Sequence, residues 1–342
     1  MDNVQVHATS SRNIERVVLL PNIRTVVPEL CEMGFLIWSP PANAHYTKVQ
    51  TETESKRETI RVPAELPIDW TFVCDWAPSN SCCGGSAVAV YDQEVYISLE
   101  LKDTVDVYAI DGTFARRLTP VQEGNNRLSS PTALAVYADE VYICNTGRNE
   151  ITVCGIDGTW HRNFDSPILM YPDHPITMCN PSDLAIQNRE VYVLDTDNER
   201  IQVFGTDGTF HRMWDNKKNC EMDSNQIVVV DDEVLVLNSA HFATDLNFTV
   251  TIYTLAGEFV REYEPDFCPV SGLAVHGNRV YYCSTDDMRT GQICWHERHE
   301  DSVVHSVPMK YYERRNIGRT IAIEENVMCV LSGFGLVSIY KA

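Results

Sequence analysis

The stretch PSDLAIQNREVYVLDTDNERIQVFGTDGTF, residues 181–210, contains three short apolar runs (SDLAI, EVYVL and RIQVF) separated by polar turns, and a fourth run, TFHRMW, begins as it ends. The runs are rich in β-branched and aromatic side chains, which suit a pleated, half-buried surface. Runs of this length bounded by Asn, Asp and Gly predict consecutive antiparallel strands. Asp207-Gly208, and Asp157-Gly158 in the equivalent place, read as two-residue hairpin turns because Gly accepts positive φ. No sustained helical period competes with this pattern.

Working outward, the segment EVYVLDTDNERIQVFGTDGTF from Glu190 is echoed by EVYICNTGRNEITVCGIDGTW from Glu140 and EVYISLELKDTVDVYAIDGTF from Glu94. Fainter copies begin at Glu233, Arg279 and Asn326, the first with the insert SAHFATDLNFT (239–249). The shared valine falls at Val95, Val141, Val191, Val234, Val280 and Val327, at spacings of 46, 50, 43, 46 and 47 residues. Four strands recurring at that interval predict an all-β fold, a β-propeller of four-stranded antiparallel blades.

The wording of the repeats resembles the NHL family. Its pattern is a proline before the inner strand, then D-T-x-N-x-R-I-Q-V-F, then D-G-x-F. The copy from Pro181 matches nearly throughout, and the copy from Pro131 matches with Asn145 where the family usually has Asp. The resemblance implies a propeller like that of TRIM-NHL-type proteins, although no RING-like or B-box-like zinc ligands precede it in this sequence. Function does not follow from it, since one propeller scaffold hosts many activities.

Six copies occupy 85–342. Residues 21–62 offer four further strand candidates after Pro21 and are read as a divergent first blade, with 63–84 as a connecting loop. The last copy ends without a fourth strand, and NIERVVLL (13–20) is assigned to close it, which removes an open sheet edge. This gives seven blades in a single domain spanning 1–342. Six blades closed by KRETIRV (56–62) is the alternative.

The formal charge of −21 is uneven: residues 1–62 are neutral, and the remaining 280 carry 20 basic and 41 acidic groups. Such a field repels nucleic acid and anionic lipid and favours solubility or a basic partner. There is no apolar run long enough to span a bilayer and no signal-peptide pattern at 1–20, so a cytoplasmic protein with no membrane association is expected. Of twelve cysteines, Cys144, Cys154, Cys283, Cys294 and Cys329 lie within apolar strand-like runs and are read as reduced core residues. The adjacent Cys82 and Cys83 are poor chelators, and the sequon at Asn247 is taken as chance.

In a propeller the loops from second to third strand and the loops between blades share one face. Here that face carries 119–130, 165–180, 215–224, 304–318 and the 239–249 insert, and long loops on a rigid scaffold concentrate function. The candidate binding residues there are Met170, Tyr171, His174, His241, Phe242 and Phe334. The plainer reading is that such residues fold back and bury themselves. Arg148 and Arg200 are assigned to pairing with a neighbouring blade, and Asp195, Asp197 and Asn198 to turns that bond their own backbone. Arg116, Arg117, Arg162, Arg212 and Arg261 recur on outer strands, either as a basic girdle or as charges that block edge pairing.

A catalytic propeller needs several metal ligands converging from inner-strand starts. Those starts offer Thr132, Asp183, Gln226, Ser271 and Thr320, of which Asp183 alone is a good ligand; the other lookalike is His296 with His299. No catalytic triad or phosphate-loop motif is present, and no cofactor is implied. The leading expectation is a non-catalytic scaffold that docks a protein partner on its acidic, loop-rich face. A metal-dependent lyase or lactonase at the central channel is the alternative, and RNA binding comes third.

Overall fold

The computed structural model describes residues 70–78, 85–120, 127–164, 178–216, 226–241, 246–265, 270–285, 291–298, 318–332 and 335–342, with isolated strands at 5–6, 17–18, 46–51, 58–64 and 305–308. The chain divides into two compact units, Trp70–Val303 with Met309–Ala342, and Met1–Asp69 with Val304–Pro308. The larger is a propeller of six blades. Blade 1 runs Ala87–Tyr91, Glu94–Leu99, Thr104–Ala109 and Phe114–Leu118, and blade 2 runs Pro131–Tyr137, Glu140–Asn145, Glu150–Gly155 and Trp160–Phe164. Blade 3 follows with Pro181–Gln187, Glu190–Asp195, Arg200–Gly205 and Phe210–Asp215, and blade 4 with Gln226–Val230, Glu233–His241, Leu246–Thr254 and Phe259–Tyr263. Blade 5 supplies Val270–His276, Arg279–Thr285 and Gly291–Glu297 to this unit. Blade 6 is built from Gly318–Glu324, Val327–Ser332, Val337–Lys341 and Thr71–Trp76.

The blade count therefore corrects the expected seven to six. The closing strand is Thr71–Trp76, antiparallel to Val337–Lys341 with Ile339 opposite Cys74. It lies within the expected connecting loop 63–84, and neither 13–20 nor 56–62 takes that place. In the smaller unit Tyr46–Thr51 and Glu58–Ala64 form a two-stranded sheet, and Gln5–Val6 pairs with Val17–Val18. The last blade is thus closed by a strand that precedes the repeats in the chain, and that strand is Thr71–Trp76.

Second and third strands are the most deeply buried, as in EVYVLD, where everything after Glu190 is buried. Apolar side chains pack mainly between blades. One cluster joins Val95 and Ile97 of blade 1 to Cys329 and Ile339 of blade 6, and so carries the core across the closure. Among the described cysteines, Cys144, Cys154, Cys283, Cys294 and Cys329 are free and buried, as expected.

The turn chemistry differs in detail from the expectation. Asp157 and Asp207 do not form two-residue turns. In each the carboxylate accepts the N–H two residues on, Gly158 and Gly208 take φ near +89°, and a bulge follows in the hairpin. Gly208 also sits against the Phe164 ring of the preceding blade, where an added Cβ would lie 2.9 Å from a ring carbon. The two-residue turns with both positions at positive φ are Asp92-Gln93, Ala138-Asp139 and Asn188-Arg189, the I′ geometry without glycine.

Candidate functional site

The recurring arginines are inter-blade staples. Arg162 reaches both Glu140 oxygens at 2.6 Å and the Tyr142 hydroxyl at 3.1 Å, and donates to the Thr206 carbonyl of blade 3 at 3.0 and 2.5 Å. Arg116 repeats this with Glu94, Tyr96 and the Ile156 carbonyl, and Arg212 with Glu190, Tyr192 and the Leu255 carbonyl. The Arg162 and Arg212 guanidinium groups hold the Glu140 and Glu190 carboxyls down at about 2, with His161 and His211 adding bonds. In blade 4 Glu233 instead meets the buried Arg298, while Arg261 donates to the Arg298 carbonyl. At the closing junction Cys74 stands at the arginine's register position, and the Trp76 indole donates to the Ile110 carbonyl at 3.0 Å. The guanidinium groups of these outer-strand arginines are thus engaged between blades. Arg117 is separate: it pairs with the buried Asp106 of its own blade.

On the loop face, the second strand of each of blades 1 to 3 passes into a one-turn 3-10 segment that ends in a left-handed residue: Asp103, Asn149 or Glu199. Two of these side chains cap the incoming loop of the next blade, Asp103 accepting from Ser130 N at 2.7 Å and Asn149 from Asn180 N at 2.8 Å. Asp195 is fully buried and accepts from Cys179 N at 2.6 Å, Arg200 at 2.7 Å, Gln202 at 2.6 Å and Asn198. It is a hub for its own blade and its incoming loop, not a self-bonded turn former. Arg200 and Arg148 pair within their own blades, with Asp195 and Glu150. Asn145 does the corresponding work in blade 2, accepting from Ser129 N at 2.7 Å.

The central channel is a cavity of about 840 Å³ lined by the inner strands of all six blades. Its lining includes a girdle of small residues at one register level: Ala89, Ala135, Ala185, Ala274 and Ala322, with Val228 in blade 4. Two residues nearer the loop face lie Asp183, Gln226 and Thr320. Asp183 accepts from Ile227 N of blade 4 at 2.9 Å, and Gln226 accepts from Leu273 N of blade 5 at 2.7 Å. Asp183 is open to the channel yet enclosed by protein, and this desolvation raises its carboxyl from 3.8 to about 7 against two backbone N–H bonds that lower it.

Of the predicted binding residues, Met170, Tyr171, His174, Phe242 and Phe334 lie outside the described residues. His241 ends the second strand of blade 4 opposite Leu246, so much of the 239–249 insert is a lengthened hairpin rather than loop. His296 is buried with both ring nitrogens engaged, Nδ1 at 2.7 Å from the Glu297 carbonyl and Nε2 at 2.6 Å from the Tyr282 hydroxyl. Among the described residues no three His, Cys, Asp or Glu side chains gather as a metal site. Leu101, absent from the candidates above, is 76% exposed on the blade 1 loop-face turn. Its signal was the ELK tripeptide where the sister blades have TGR and TDN.

These features define a six-bladed β-propeller with an Arg–Glu–Tyr staple repeated through its first three blades. The family model for the NHL repeat matches residues 178–204, so the chain carries an NHL repeat, in the blade from which the sequence reading began. No curated protein matches the chain in sequence. Among solved structures, virginiamycin B lyase from Staphylococcus aureus is similar over 80% of this chain and 99% of its own, at 13% identity and a TM-score of 0.55. Its catalytically inactive variant with quinupristin is similar at 12% identity, again over 80% and 99%, with a TM-score of 0.55. At such identity the likeness shows the fold alone. No helix among the described residues is long and apolar enough to cross a membrane.

Proposed function

We propose that this protein is a non-catalytic scaffold that docks a protein partner on its loop face. The observation that supports this reading is the way the loops are mounted. The described ends of the loops entering blades 2 and 3 are held by side-chain acceptors, Asp103 and Asn145 for one and Asn149 and Asp195 for the other. Pinned ends lower the ordering cost of binding, which is where loop-borne interfaces lose most affinity. The inner-strand acceptors Asp183 and Gln226 meanwhile hold the next blade. Leu101, Met170, Tyr171, His174, His241, Phe242 and Phe334 are the proposed contacts, and a basic partner surface suits the net charge of −21.

The test is affinity purification of the full chain from its source cell, comparing wild type with Leu101→Asp and with Tyr171→Ser/Phe242→Ser. A partner that wild type retains and both variants lose supports the reading. Equal retention by all three would count against it.

A further inference from the structure

We propose that the central channel is a binding site for a small organic cation, its ammonium group at Asp183 and its apolar body within the alanine girdle. The cavity of about 840 Å³ falls within the size range of small-molecule sites. Five of six blades place alanine at the girdle level, so the inner strands carry small side chains where they line the cavity. Below the mouth the wall is aliphatic, with Val90, Val136, Val229, Val275 and Ile323 one step deeper. Toward the loop face the described lining carries two carboxylates, Asp183 and Glu100, and among the described residues no basic one. Ser86 donates to Glu100 at 2.9 Å, leaving Asp183 as the carboxylate inside the wall.

An enclosed carboxylate without a counter-ion is costly, and a cation that enters removes that cost. Backbone N–H groups hold Asp183 from one side, and the channel is its open side. Cys144 is the titratable neighbour on the adjoining second strand, and burial raises its thiol so far that it stays neutral. Arg319 lies at the bulge of the sixth inner strand, the register position of Thr132 in blade 2 and Ser182 in blade 3.

The experiment is isothermal titration of the full chain with three probes of one shape: phenethylammonium, phenethyl alcohol and 3-phenylpropionate. The ammonium is expected to bind at least about tenfold tighter than the alcohol, a difference of about 1.4 kcal/mol, with the carboxylate weakest. Because the complex requires ionised Asp183, ammonium affinity should rise about tenfold from pH 6 to pH 8, with proton release at the lower pH. Asp183→Asn keeps an acceptor for Ile227 N and should bring ammonium and alcohol within about threefold of each other. Ala185→Phe, which fills the girdle, should abolish binding of both. Arg319→Gln should leave the order of the three probes unchanged. Equal binding of ammonium and alcohol, an ammonium preference that survives Asp183→Asn in a folded variant, or a carboxylate preference removed by Arg319→Gln would each overturn the proposal.

Discussion

Replacing Arg162 with Met keeps the stem that packs along the blade and removes the guanidinium. The lost contacts are two bonds to Glu140, one to the Tyr142 hydroxyl and two to the blade 3 carbonyl of Thr206. The fall of the Glu140 carboxyl from 4.5 to about 2 corresponds to at most about 3 kcal/mol, and partial exposure reduces this to roughly 2 kcal/mol. The Thr206 bonds add about 1–2 kcal/mol. Arg162→Met should therefore destabilise by about 3–4 kcal/mol, and Glu140→Gln by about 2 kcal/mol because His161 and Tyr142 remain near it. The double variant should show a coupling of about 1.5 kcal/mol. Urea unfolding of the four proteins at pH 7 supplies the cycle. The Glu140 carboxyl is depressed in the folded state, so its contribution is complete above about pH 4.5 and is lost as pH falls toward 2. The gap between wild type and Glu140→Gln should narrow over that window. A coupling under about 0.5 kcal/mol, or a gap that does not respond to pH, would refute the staple.

The closing junction lacks the staple, with Cys74 and Val327 at the register positions of Arg116 and Glu94. Cys74→Arg/Val327→Glu, which installs the pair of the sister blades, should thus raise the melting temperature by a few degrees relative to Cys74→Arg alone, read by calorimetry. Arg189→Gly converts Asn188-Arg189 to Asn-Gly at an I′ turn and should stabilise by about 0.5–1 kcal/mol in urea unfolding. Gly208→Ala combines forbidden φ with a clash on Phe164 and should cost about 2 kcal/mol in the same assay. Asp183 is raised in the folded state, so stability should decline by roughly 1–2 kcal/mol between about pH 4 and pH 7; Asp183→Asn should lack that decline, as followed by chemical unfolding across pH.

The sequence carried the propeller because its repeats state it openly: Val95 through Val280 recur at equivalent strand positions, Val327 falls one residue early, at the register of Glu94, and the second and third strands are the buried ones. It misled on closure because the strand Thr71–Trp76 carries none of the repeat's marks. Cys74 stands where sister blades have arginine, and Trp76 takes over the bond to the next blade. The arginines were visible but their role was not, since a residue that binds Glu140 in its own blade and Thr206 in the next one acts between units that periodicity treats singly. Asp183 was singled out as the lone carboxylate at an inner-strand start; its bond to Ile227 N and its place above an alanine girdle needed the ring.

Docking of a protein on the loop face is best tested by cross-linking mass spectrometry of the wild-type chain with its co-purified partner, because this reports which face the partner touches. Cross-links are expected from the loop face, at Lys102 beside Leu101 and, by carboxyl–amine coupling, at Asp165 and Asp173, with the partner retained by Asp139→Asn/Asp231→Asn on the tight-turn face. Cross-links confined to the tight-turn face, with the partner lost from that variant, would contradict it.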